Sequence, residues 1–99
     1  MFLDDQLLEI GRSVDFEDAD SIFKTTEKMI KACYDNLIEK VKDCREEKVI
    51  IAQVKRVIKT WELVADKLES EQISLIKREG FALLIKKRMP EIYKAIYKN

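Results

Sequence analysis

The stretch from Val49 to Leu68, VIIAQVKRVIKTWELVADKL, constrains this chain more than any other. Its apolar residues Ile51, Val54, Ile58, Trp61, Ala65 and Leu68 recur at steps of three and four. On a period of 3.6 they form one continuous face, with Lys55, Arg56, Lys59, Glu62, Asp66 and Lys67 turned elsewhere. The pattern predicts an amphipathic helix roughly 30 Å long. Such a stripe is stable only when other helices cover it, because packing supplies most of a helix's stability in a protein. Trp61, in the middle of the stripe, is expected to anchor the core.

The remaining sequence supplies covers of the same kind. Only two Gly and one Pro occur in 99 residues, which suits helices joined by short connections rather than strands joined by turns. The expected class is all-α, an antiparallel bundle of four-helix type with a short extra terminal helix, in a single domain over residues 1–99. Residues 3–10 predict a first helix with Leu3, Leu7, Leu8 and Ile10 inward and Gly11 as its C-terminal stop. Val14 and Phe16 are expected to tuck beneath the helices as a plug. Asp18 or Asp20 is expected to cap a helix over 18–43, inward at Met29, Ile30, Cys33, Leu37 and Ile38 among others. Asp43 and Glu46 have capping-box spacing, so a separate helix over 46–69 is preferred to one rod over 18–69. Glu69, Ser70 and Glu71 resemble a helix start, predicting a helix over 71–88 that Gly80 either admits or splits. Pro90 suits the first position of a last helix over 90–98.

Composition excludes much chemistry. The chain has no histidine, so the commonest general base and metal ligand is missing. Two cysteines, Cys33 and Cys44, cannot complete a zinc site in one chain, and on one helix they would stand about 16 Å apart, too far to bridge. An acidic run at Asp15, Glu17, Asp18 and Asp20 fails as a calcium loop, with Asp20 where the turn needs glycine and Thr26 where the closing glutamate belongs. The expectation is a protein that is not an enzyme and takes no cofactor or metal. No apolar run approaches the ~18 residues of a membrane span, which predicts a soluble, cytoplasmic protein.

Charge is balanced in total but not along the chain. Residues 1–20 carry seven carboxylates against Arg12 alone, whereas residues 77–99 carry seven cations against Glu79 and Glu91. The plain reading is that the two ends attract each other or complement helix termini, in preference to forming a dedicated binding surface. The candidate partner-binding residues are Lys86, Lys87, Arg88, Tyr93 and Tyr97, cations and amphipathic aromatics on short helices. The same cluster could contact nucleic-acid phosphates, or simply complement the negative end of a helix and stay solvated.

The order of elements, a short amphipathic helix (Leu7, Leu8, Ile10), an acidic connection (Asp15 to Asp20), two long helices and a segment from Lys67 to Gln72 leading to Ile73 and Ile76, resembles the immunity proteins of class IIa bacteriocins. The resemblance implies a small cytoplasmic antiparallel four-helix bundle that contributes to antimicrobial resistance. It also implies binding, from inside the cell, to a sugar-transport membrane receptor held by the bacteriocin, with the protein peripheral at the inner membrane face. Its Pro-started last helix replaces the longer variable tail often seen in that family. A helical adaptor or phage-type inhibitor that caps a partner or forms a homodimer, and a nucleic-acid accessory protein using the basic end, are the alternatives.

Overall fold

The computed structural model describes residues 2–98, and all regular secondary structure among them is helical. The order is α1 (Leu3–Arg12), α2 (Ala19–Val41), α3 (Glu47–Ser70), α4 (Gly80–Arg88) and α5 (Pro90–Ile96). At ~1.5 Å per residue, α2 and α3 laid end to end would span about 70 Å, yet the longest dimension of the molecule is 44 Å. The chain therefore reverses between them, and the single rod over 18–69 does not form. The expected capping box is also absent. Helix α3 is capped by Glu46 itself, without a side-chain bond, which leaves Asp43 outside the helix and unable to serve its first turn.

Helix α3 is the shared support, since α1, α2, α4 and α5 all pack against it. It buries Val57 and Val64 beside the expected Val54, Ile58, Trp61, Ala65 and Leu68, because it is covered from more than one side. The core continues through Leu7 of α1, Met29, Cys33 and Leu37 of α2, and Phe81 and Ile85 of α4.

Helix α1 runs past the glycine expected to stop it. Gly11 lies inside the helix, buried, without a left-handed backbone angle. Its role is close approach: a Cβ there would stand 2.7 Å and 3.2 Å from the two methyls of Leu68. Beyond Arg12, the acidic connection forms its own turns. The Glu17 amide donates to Asp15 Oδ1 at 3.0 Å, and Asp18 caps α2 by accepting from the Asp20 amide at 3.0 Å. This hydrogen bonding holds Phe16 outward, 49% exposed, so it is not the plug that its alternation with Val14 suggests. Arg12 instead ties the end of α1 to the end of α3 through a forked pair with Glu71, at 2.8 and 2.7 Å. Hydrogen bonding from Arg12 holds the Glu71 carboxyl below the usual carboxylate range. The contribution is thus fully present above the usual carboxylate range and lost as pH falls from there through the lower value of the folded state. Among the described residues no ion pair joins residues 2–20 to 77–98, so the attraction of the two ends is not a direct contact.

The helix expected over 71–88 is corrected to Gly80–Arg88. Residues 69–72 end a helix instead of starting one. The Ile73 amide donates to the Leu68 carbonyl at 2.8 Å and the Gln72 amide to the Glu69 carbonyl at 2.9 Å, with Gln72 left-handed at φ 65°. That is a Schellman stop in which glutamine occupies the usual glycine position. Replacing Gln72 with glycine removes the steric cost of that conformation, about 1–2 kcal/mol, and some of the gain is returned as unfolded-state entropy. We expect Gln72→Gly to raise the melting temperature by a few degrees; a lower one would contradict the assigned geometry. Residues 73–79 then cross the end of the molecule without helix, where the Lys77 carbonyl accepts from Trp61 Nε1 at 2.9 Å. Gly80 sits over the same indole, 3.5 Å from Cζ2 to a notional Cβ, so it splits the segment by starting α4.

Candidate functional site

Helix α4 is tied to α3 and α5, while between α4 and α2 the surface opens into a groove. Its larger part, about 400 Å³, has Trp61 and Phe81 at the floor, rings 5.8 Å apart, and Ile30, Leu75, Leu83 and Leu84 along the walls. A second part of about 290 Å³ continues from Ile30 and Leu84 to Tyr34 and Arg88. The groove arises because α2 has two apolar edges. Met29, Cys33 and Leu37 face the core, while Phe23, Ile30 and Tyr34 lie one step round the helix. Ile30 is 37% exposed, although hydrophobic spacing alone placed it inward, and Leu83 on the opposite wall is 51% exposed.

The five candidate partner-binding residues do not form one cluster. Consecutive positions on a helix differ by about 100°, and Lys86, Lys87 and Arg88 accordingly point in three directions. Lys87 borders the larger part of the groove and Arg88 the smaller part, where its guanidinium lies 5.0 Å above the Tyr34 ring. Lys86 turns to α5, with its ammonium 5.6 Å from the Tyr93 ring, and Tyr93 stacks on Tyr97 at 4.5 Å. Burial first, with Glu62 and Tyr93 nearby, pushes the Tyr97 hydroxyl above its ordinary range. Lys86 and Tyr93 thus link α4 to α5, with Tyr97 supporting Tyr93 from the end of α5, while Lys87 and Arg88 border the groove. Arg78, in the same connection as Lys77, is held by Glu62 at 2.6 Å and Asp66 at 3.2 Å.

The cysteines are on separate elements: Cys33 is within α2, and Cys44 follows its end, donating to the Lys40 carbonyl at 3.4 Å. Burial pushes the Cys33 thiol up to about 12. A thiol that stays neutral when folded but ionises near 9 when unfolded favours the folded state at low pH, and that advantage is lost as pH rises above 9. In the native protein a disulfide reagent at pH 8 should therefore titrate Cys44 alone, with Cys33 reacting only after denaturation. Rapid reaction of both thiols would contradict the burial of Cys33. Among the described residues no three Cys, Asp or Glu side chains gather closely enough to hold a metal ion, and no helix is long and apolar enough to cross a membrane.

No family model, curated protein or solved structure matches this chain.

Proposed function

We propose that this is a non-enzymatic helical-bundle protein that acts by binding a protein partner. In this reading the bundle is antiparallel and of four-helix type, with α5 as the appended terminal helix. The observation that carries it is the α2–α4 groove, because contiguous exposed apolar surface rimmed by polar groups marks an interaction site. The separation of Lys86 from Lys87 and Arg88 favours protein binding over nucleic-acid binding, which calls for cations aligned along one phosphate-tracking stripe. The resemblance to bacteriocin immunity proteins gives the reading its biological form. The protein would act from the cytoplasmic side on a membrane sugar-transport receptor held by the bacteriocin, and its cationic C-terminal third suits the inner membrane face. The test is expression in a bacteriocin-sensitive strain. Survival above the empty-vector control is expected, and unchanged killing overturns the immunity form of the proposal.

A further inference from the structure

The groove has a length and a charge that narrow what can lie in it. Its α2 wall runs from Thr26 to Tyr34 and its α4 wall from Gly80 to Arg88, each about 12 Å, or two helical turns. Two turns accommodate side chains at i, i+3 or i+4, and i+7 of a helix laid in an apolar groove. The rim carries Lys77, Lys87, Arg88 and Lys31 against a single carboxylate, Glu27. Lys31 is paired with Asp35, but Lys77, Lys87 and Arg88 have no ion-pair partner among the described residues. Along the outer edge of α2, Lys24 and Lys28 add cations, Lys24 being paired with Asp20. The apolar floor wants an apolar stripe and the rim wants carboxylates beside it.

We propose that the occupant is an acidic amphipathic helix of the partner protein, its apolar stripe over Ile30, Leu83 and Leu84 and its carboxylates against Lys77, Lys87 and Arg88. This rests on the protein-binding reading above and specifies the partner's chemistry. A second copy of the chain is the competing occupant, since its own turn at Asp15–Asp20 presents an exposed Phe16 among carboxylates.

Trp61, the sole tryptophan, lies at the groove floor and reports occupancy by its fluorescence. The probe is a tryptophan-free helical peptide about four turns long, with leucines on one face and glutamates elsewhere; its control replaces every glutamate with lysine. The acidic peptide should shift Trp61 emission saturably, and binding should weaken at least tenfold between about 50 and 300 mM salt. The lysine twin should not bind. Lys87→Glu with Arg88→Glu, and separately Leu83→Glu, should each weaken binding tenfold or more while circular dichroism stays native. Equal binding of the two peptides, or no binding of either, overturns the proposal. So does sedimentation showing a dimer that excludes the acidic peptide and that Lys87→Glu with Arg88→Glu dissociates, which would assign the groove to a second copy. Failure here is distinct from failure of the immunity reading, because protection in cells can proceed through a partner of another chemistry.

Discussion

Replacing Trp61 with alanine is expected to destabilise the protein by about 3–5 kcal/mol, the largest effect of any single substitution considered. The indole is 2% exposed, its ring faces Phe81, and its N–H donates to the Lys77 carbonyl of the connection before α4. Alanine removes the ring, opens a void beneath the groove and releases that carbonyl. A small domain typically holds only about 5–15 kcal/mol in total, so the variant should be near the edge of folding. Urea denaturation followed by circular dichroism measures it through the midpoint. Trp61→Phe separates the contributions: it keeps most of the apolar contact but leaves the Lys77 carbonyl without its donor, at about 1–3 kcal/mol. A near-native midpoint for Trp61→Ala would show that α4 is held by something other than this contact.

Leu7→Ala is expected to cost about 2–5 kcal/mol, with a local signature. Ten residues cannot remain helical alone, so α1 depends on docking. Its anchors are Leu7, fully buried, and Gly11 against Leu68 and Met29. The Arg12–Glu71 pair is exposed and adds little. Amide exchange in the variant should therefore accelerate throughout Leu3–Arg12 more than in α2 and α3. Uniform acceleration would mean that α1 and the long helices form one cooperative unit.

The long helices were legible because the period of 3.6 is written over more than twenty residues in each. Pro90 as a first helical residue was equally plain, and the cap of α2 was narrowed to Asp18 or Asp20, of which the structure selects Asp18, since each acts through its own local chemistry. The end of α3 was legible to within a residue, but the start of the following helix was misread. Glu69, Ser70 and Glu71 have the residue types of a helix start, and with Gln72 instead of glycine at the left-handed position nothing in the residue types announces that the chain stays non-helical as far as Gly80. Gly11 misled in the opposite way: it has the residue type of a helix stop but is needed for contact with Leu68, a partner 57 positions away. The groove was hidden because Ile30 and Leu83 satisfy an inward spacing, and only the packing of α4 against α3 and α5 rather than α2 leaves them open. The three cations of the candidate site could have been divided in advance, since three consecutive positions on a helix cannot share a face. That Lys86 would meet Tyr93 and Arg88 would meet Tyr34 depends on how α4 is turned, which no local pattern records.

Under the proposed immunity function, the groove as the binding surface is tested most directly by protection in a bacteriocin-sensitive strain, comparing the native chain with two folded variants expressed at matched levels. Leu83→Glu combined with Lys87→Glu should abolish survival, because it places charge on the groove wall and reverses its rim. Lys86→Glu, on the α5 side of the same helix, should leave survival close to native. Protection that persists in the groove variant, or is lost equally in both, would contradict the assignment of partner binding to the α2–α4 groove.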